Sequence, residues 1–158
     1  PEWRTSGAAR SRGMELDVAG EIDSRWSTIG SLAVLDAKTT RDPEYAGNRL
    51  WNVARVTASA GAVYNVGELL GSDQLRVGAR ARYSGRRPGD SANSFWLPSF
   101  TVADLFATYD TAIMDRKVRF QFNVKNLTDR TYYTSSVNEY GLALGDARQV
   151  SVTASFEF

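Results

Sequence analysis

Residues 147–158, which read A-R-Q-V-S-V-T-A-S-F-E-F, decide the fold class of this chain. From Val150 to Phe158 every second residue is apolar, and every residue between them is polar. A period of two predicts a β-strand whose two faces meet different surroundings. The strand ends on its apolar face, with an aromatic residue. The segments that precede it indicate what those surroundings are.

The composition excludes several classes of function. The 158 residues include 19 Lys and Arg against 18 Asp and Glu, and the net charge of +1 gives no reason to expect a nucleic-acid partner. Without Cys there are no disulfides or thiolate metal sites, and without His there are no Ser-His hydrolases or His-based zinc sites. No apolar run approaches the roughly 20 residues of a membrane-spanning helix.

Six earlier segments repeat the alternation, so we predict an all-β, antiparallel, up-and-down meander of about seven long strands. The phase is least regular in residues 26–38, where Leu32 and Val34 suggest one face but Ile29 and Leu35 break it. Phe106 falls on the polar face of its strand, an exception that the alternation does not explain. The six segments are 8–22, 26–38, 52–66, 75–84, 100–110 and 118–125.

The connections between these segments alternate in length. Short turns are predicted around 23–25, 67–73 and 112–116, and long loops over 39–51, 85–99 and 128–146. In a meander all the short turns then lie at one end and all the long loops at the other. Outer-membrane barrels have this arrangement, with short periplasmic turns and longer extracellular loops.

Arg76, Arg80 and Arg82 share one face of a single strand. Unpaired charges are too costly in a dry core, so this face is expected to line a water-filled or polar-packed interior. The apolar face would then meet lipid, with aromatic girdles near the strand ends. In the alternative, a soluble β-barrel binding module, the apolar face encloses a small core. Candidate girdle residues are Trp26, Tyr64, Tyr83, Tyr109, Phe156 and Phe158.

Five stretches, in order along the chain, resemble segments of TonB-dependent siderophore receptors. Residues 10–17, R-S-R-G-M-E-L-D, resemble the family's R-S-x-G-x-E-L-D, and residues 47–55 resemble its G-N-x-L-x-N-V-P-x-H, with Ala54 and Arg55 in place of Pro and His. Residues 87–104 resemble the family's loop that precedes Y-T-V-V-D, together with that strand start. Residues 123–133 resemble its N-x-x-N-L-F-D-K-x-Y-Y, and residues 145–148 resemble its G-x-P-R, with Ala147 for Pro.

The resemblance implies a place for this chain in a larger protein. Residues 1–158 would be the C-terminal part of an outer-membrane barrel of about 22 strands, without the N-terminal strands, the plug domain or the TonB box. The start at Pro-Glu-Trp fits a processed or truncated chain. The family imports ferric siderophores with energy from the TonB complex. Its partners would be the siderophore, TonB through the missing N-terminal part, outer-membrane lipid, and the assembly machinery that reads the last strand through Phe156 and Phe158.

Candidate ligand contacts are aromatic side chains of the long loops and arginines of the inner face. For the arginines, the alternative is simple lining of the interior, paired with acids such as Glu15, Asp17 or Asp104. Tyr132 and Tyr133 fall in a family motif and are expected to anchor a loop base. The ligand-binding candidates are Phe95, Trp96, Tyr140, Arg76, Arg80 and Arg82.

No enzymatic activity or catalytic residue is expected. No metal ligand or bound cofactor is expected either, because iron would travel inside the siderophore. Glu15 and Asp17 share one strand face, but without any sign of a pocket they are expected to balance the arginines. A passive outer-membrane porin or adhesion barrel is the second candidate function, and the soluble module the third. A passive barrel would conduct ions without a plug, and a soluble module would purify without detergent.

Overall fold

The structure is a computed structural model that describes residues 7–69, 71, 73–114 and 116–156. Within these residues no helix has the length and apolar character needed to cross a membrane. The elements are the strands β1 (Ala8–Glu21), β2 (Trp26–Arg41), β3 (Val56–Gly67), β4 (Gln74–Ser84), β5 (Arg87–Pro88), β6 (Trp96–Leu97), β7 (Phe100–Ile113), β8 (Arg116–Lys125), β9 (Tyr133–Asn138), β10 (Gly141–Leu144) and β11 (Gln149–Phe156).

Seven of these strands form one sheet in the order β1-β2-β3-β4-β7-β8-β11, and every neighbouring pair is antiparallel. The short pairs β5–β6 and β9–β10 lie apart from it, within the second and third long loops. The predicted all-β meander is therefore confirmed. All the long loops leave the sheet at one end, the loop end, and the short turns lie at the opposite end, the turn end.

The register places the predicted apolar residues on one outer face that runs across the whole sheet. Met14 lies opposite Val34, and Leu16 opposite Leu32, so the ambiguous strand β2 has Leu32 and Val34 on the outer face. Since successive side chains alternate, Ile29 and Leu35 lie on the other, inner face. The outer face continues through Ala58, Tyr83, Thr101, Leu105, Val124 and Val150.

None of the described residues forms a second layer against the outer face. Met14 is 83% exposed, and Leu16, Val18 and Val152 are also exposed. Fully buried large side chains occur instead at the loop end, where Pro88, Leu97 and Val102 have almost no exposed surface. The sheet is therefore a wall with an apolar outer surface, and its densest packing is under the loops.

Several strand boundaries differ from the sequence prediction; β7, for example, continues to Ile113 instead of residue 110. β2 continues to Arg41, because Thr39 pairs with Ala9 and Lys38 forms a bridge to Arg49 in the following loop. β3 begins at Val56 instead of residue 52, since Asn52 has a φ of 62° that an extended strand does not allow. β11 is described only as far as Phe156, which lies opposite Val118 on the outer face. The predicted assembly residue Phe158 lies outside the described residues.

The inward position of Phe106 has a physical reason. Phe106 lies directly opposite Gly78 in the β4–β7 pair, and its ring covers the glycine so closely that a Cβ there would overlap the Cζ atom. A glycine in a strand leaves backbone uncovered, and an aromatic ring on the neighbouring strand fills that gap. Phe106 therefore departs from the alternation because it covers Gly78 on the neighbouring strand.

Two of the predicted aromatic girdle residues form a contact pair at the turn end. Trp26 and Tyr64 lie opposite each other on β2 and β3, and their ring centroids are 4.8 Å apart. Arg25 of the preceding turn donates a hydrogen bond to the Tyr64 hydroxyl at 3.2 Å. This hydrogen bond is the main reason that the pKa of Arg25 lies above its ordinary value.

Candidate functional site

The inner face carries a ladder of charges that is largely paired. Arg80 lies opposite Asp104, and its guanidinium donates to the carboxylate at 2.9 Å. Arg76 donates to Asp110 at 3.0 Å, and Arg119 donates to the other oxygen of the same carboxylate at 2.5 Å. Because these side chains are partly solvated, each pair contributes at most about 1 kcal/mol. The ladder sets the charge pattern of the wall more than its stability.

The predicted acidic partners are only partly right. Asp104 is confirmed as the partner of Arg80. Glu15 and Asp17 lie on β1, three strands away from β4 in the sheet order, and Asp110 takes the role expected of them. The sequence prediction placed Asp110 in a strand but not beside Arg76, because alternation alone gives no register between β4 and β7.

Asp104 also ties the wall to the base of the third loop. Its second carboxylate oxygen accepts a hydrogen bond from the backbone N–H of Asn126 at 2.9 Å. The buried Asn126 side chain in turn donates to the carbonyls of Arg130 and Asp146, each at 2.9 Å, and accepts from the Arg130 N–H. All the bonds that this amide can readily make are formed, which gives the Asn of the N-x-x-N-L stretch a structural role.

Arg82, the uppermost arginine of β4, reaches the loop base through Tyr132. It donates to the Tyr132 hydroxyl at 2.8 Å and has its guanidinium 5.7 Å from the centre of that ring. The Tyr132 ring is buried between Phe100, at a centroid distance of 4.5 Å, and Gly145, where any Cβ would overlap the ring. Tyr132 is thus an anchor of the loop base, as the motif predicts.

Arg87 joins the second loop to the third. Its buried guanidinium donates to the Ser84 hydroxyl at 3.4 Å and to the Tyr133 carbonyl, and it lies 5.6 Å from the centre of the Phe100 ring. Burial lowers the pKa of Arg87 from its ordinary value. An arginine remains charged at neutral pH despite such a shift, so its hydrogen bonds persist.

All three long loops meet at Ser136. Its hydroxyl donates to the Gly89 carbonyl of the second loop at 2.7 Å and accepts from the indole N–H of Trp51 in the first loop at 3.2 Å. The Asn52 side chain of the first loop donates to the Ser136 carbonyl at 2.9 Å and accepts from its N–H at 3.1 Å. We call Trp51, Asn52, Gly89 and Ser136 the loop junction.

A second set of contacts joins the first two loops farther out. Asn93 accepts from the Arg49 N–H and donates to the Arg49 carbonyl, both at 3.0 Å. Asn48 donates to the Ser91 carbonyl at 3.0 Å. Asn93 has a φ of 57°, a left-handed conformation that asparagine tolerates better than most residues. The first two loops are therefore held together at two separate places.

The predicted ligand-binding residues fall in different environments. Phe95 packs over Gly89, where a Cβ would overlap its ring, and so takes part in the packing of the second loop. Trp96 is 37% exposed, with the Arg86 guanidinium 5.0 Å from its ring centre. Tyr140 is 90% exposed in the turn between β9 and β10. The structure does not bring these aromatic residues and the arginine ladder into one pocket.

Comparison with known proteins gives a consistent family. Residues 1–127 match the family model for the TonB-dependent receptor-like β-barrel. The chain is 37% identical, over 98% of its length, to the metal-pseudopaline receptor CntO of Pseudomonas aeruginosa, and covers 22% of that protein. It is also 37% identical to the ferrichrome outer membrane transporter and phage receptor of Escherichia coli, over 96% of this chain and 20% of the transporter.

Solved structures agree with the sequence relatives. The siderophore receptor PiuA of Acinetobacter baumannii superposes with a TM-score of 0.78 at 30% identity, over 94% of this chain and 22% of the receptor. The ferric preacinetobactin receptor BauA of the same species gives a TM-score of 0.87 over 97% of this chain and 23% of the receptor; at 24% identity it supports the fold alone. The chain thus spans about a fifth of these proteins, and it belongs to the β-barrel family of TonB-dependent receptors of the bacterial outer membrane.

Proposed function

We propose that this chain forms part of the barrel wall, near its C-terminal end, of a receptor that imports ferric siderophores with energy from TonB. The observation that carries the proposal is the division of one sheet into an apolar outer face and an inner face with a charge ladder, in a chain of this family. An apolar outer face suits lipid, and a charged inner face suits a polar interior.

The loop end is the side from which a siderophore would arrive. Of the predicted contacts, Tyr140 and Trp96 present exposed aromatic surface there, and Arg82 has a neutral phenol as its hydrogen-bonding partner. Aromatic rings combined with a few polar groups form typical small-molecule sites. Arg76 and Arg80 are paired with carboxylates and Phe95 is packed against Gly89, so we assign ligand contact first to Tyr140, Trp96 and Arg82.

In this proposal the iron stays chelated by the siderophore, without direct protein ligands, and the barrel catalyses no reaction. The remaining partners are TonB, outer-membrane lipid and the barrel-assembly machinery. Phe156, on the outer face of the last strand, and Phe158 supply the assembly signal. Deletion of Phe158 in the complete receptor should reduce its insertion; unchanged insertion would contradict this assignment.

The test uses the complete receptor in its own bacterium under iron limitation. We expect deletion of the gene to abolish uptake of at least one ferric siderophore from a panel that includes ferrichrome-type, catecholate and citrate chelates. Uptake should return with the intact gene and fail again when TonB is inactivated. Uptake that persists without TonB, together with ion conductance in a planar bilayer, would support a passive pore instead. Recovery of the receptor in a detergent-free soluble fraction would support a soluble binding module.

Tyr140→Ala in the complete receptor tests the loop contact. We expect siderophore affinity to fall about tenfold, because the mutation removes a large aromatic contact area. The matched control is Glu139→Gln, a neighbour in the same turn that is also exposed. Equal affinities for the two variants, measured by fluorescence quenching on whole cells, would remove Tyr140 from the site.

A further inference from the structure

The arginines along β4 and the residues after it change partners from the turn end to the loop end. The two nearer the turn end, Arg76 and Arg80, are paired with carboxylates. The next three, Arg82, Arg86 and Arg87, have uncharged partners instead: a phenol hydroxyl, an indole ring, and a hydroxyl together with a backbone carbonyl. We call these three the loop-end arginines. Positive charge is therefore neutralised in the lower part of the wall and retained at the loop end.

The acids in this part of the wall and of the second loop are engaged with other groups. One carboxylate oxygen of Asp104 is bound by Arg80 and the other by the N–H of Asn126. Both carboxylate oxygens of Asp90 in the second loop accept hydrogen bonds from Ser94. Within the part of the chain that the structure describes, no carboxylate forms an ion pair with any of the loop-end arginines. Their charges are therefore available to an anion from outside the chain.

Two of the loop-end arginines can contact a ligand directly. Arg82 and Arg86 are exposed, whereas Arg87 is buried. The Tyr132 hydroxyl occupies only part of the Arg82 guanidinium, and Trp96 covers a face of the Arg86 guanidinium, so both arginines retain N–H donors for a ligand. Arg87 contributes through its charge alone, which is screened less by salt than a surface charge because the group is buried.

We propose that the loop-end arginines make this receptor selective for ferric chelates that carry a net negative charge. The inference rests on the proposed function, because it names the charge class of the siderophore. Cations at the loop end attract an anionic ligand and bind it through charge-assisted hydrogen bonds, and a neutral chelate gains less from both effects. Ferric tris-catecholates and ferric citrate are anionic, whereas three singly charged hydroxamates neutralise the ferric ion in a ferrichrome-type chelate.

The test is binding to the purified complete receptor, with a ferric tris-catecholate, ferric citrate and a ferric tris-hydroxamate as probes. We expect at least one anionic chelate to bind about tenfold more tightly than the neutral one, and added salt to weaken the binding of the anionic chelate alone. If the neutral chelate binds as tightly as either anionic chelate, or more tightly, the inference is overturned and the proposed function stands. If the receptor neither binds nor imports any of the three, both are overturned.

Arg82→Gln and Arg86→Gln separate the charge of the chelate from its other features. Each should weaken binding of the anionic chelate about tenfold and leave binding of the neutral one unchanged. Arg119→Gln is the matched control: it removes an arginine from the same inner face as Arg82, but Asp110 keeps Arg76 as a partner, so the affinities should not change. Unchanged binding of the anionic chelate in both variants, or an equal loss in the control, would overturn the inference. If Arg82→Gln does not fold, the exposed position Arg86 decides alone.

Discussion

At the scale of single residues, Gly78 and Phe106 depend on each other, because the ring of Phe106 fills the space that the glycine leaves on the neighbouring strand. Gly78→Ala places a methyl group where the Phe106 ring lies, so the ring must move into the barrel interior. We expect destabilisation of about 1–3 kcal/mol, as for other overpacked positions. Stability is measured as the temperature above which the complete receptor no longer migrates as the folded species on a semi-native gel.

Gly20→Ala is the control, because a Cβ at Gly20 has nothing within 4 Å. A double variant, Gly78→Ala/Phe106→Ala, sharpens the test. Since the two residues are in contact, its cost should be smaller than the sum of the two single costs. Additive costs, or a Gly78→Ala variant as stable as Gly20→Ala, would show that the ring does not depend on the glycine.

Asp42 gives a prediction for pH. Its carboxylate accepts hydrogen bonds from the N–H groups of Glu44 and Tyr45, each at 2.9 Å, and these bonds hold its pKa below the ordinary value. A lowered folded-state pKa means that the stabilisation is complete above about pH 3.9, the ordinary value for Asp, and is lost as the pH falls through the lower folded-state value. The first loop should therefore loosen only in acid.

Amide hydrogen exchange at Glu44 and Tyr45 measures this effect. In the native receptor, protection corrected for the intrinsic rate should be constant near neutral pH and fall in strong acid. Asp42→Asn, which retains an acceptor oxygen but no charge, should show weaker protection without the acid-dependent step. The same acid step in both proteins would assign it to another group.

At the scale of elements, the loop junction is the most informative contact. Ser136→Ala removes the donor to the Gly89 carbonyl and the acceptor for the Trp51 indole. Buried groups that lose their partners cost about 1–3 kcal/mol each. We expect faster hydrogen exchange in residues 50–53 and 87–90, although the substitution is in neither loop.

Thr134→Ala is the matched control for this experiment. It lies on the same strand, β9, but its hydroxyl donates only within the hairpin, to the Ala143 carbonyl at 3.2 Å. Amide hydrogen exchange should then change in the β9–β10 hairpin alone. If Ser136→Ala also affects only the hairpin, the three loops are not held together by this residue.

The sequence predicts the strands far better than it predicts the loops. The faces of Leu105 and Val124 follow from alternation, which is a local signal. The contact of Asn52 with Ser136 joins residues 84 positions apart. Neither residue lies in a segment whose alternation of apolar and polar side chains would indicate this contact. The hairpin β9–β10 was missed for the same reason: its residues, such as Ser135 and Ser136, have no clear alternation of apolar and polar side chains.

At the scale of the whole molecule, the sheet has two free edges. Across the described residues, β1 pairs only with β2 and β11 only with β8. Backbone groups without partners are not tolerated in the hydrocarbon layer, and known barrels have at least about 8 strands. Both edges must therefore pair with other strands in a membrane.

This leads to a prediction for the 158-residue chain expressed alone. We expect it to aggregate, or to stay protease-sensitive in detergent, without the heat-modifiable mobility of a closed barrel. The complete receptor, refolded in the same detergent, is the control. A protease-resistant monomer with such mobility would mean that these strands can close on themselves.

The loop junction also has a mechanical consequence for the receptor mouth. The three loops are joined to one another at Ser136, and to the wall through the bonds of Arg87 to Ser84 and of Asp104 to Asn126, which restricts their independent movement. We therefore expect the three loops to move as one unit. In the receptor proposed above, any closure over a ligand is then expected to come from loops outside this chain.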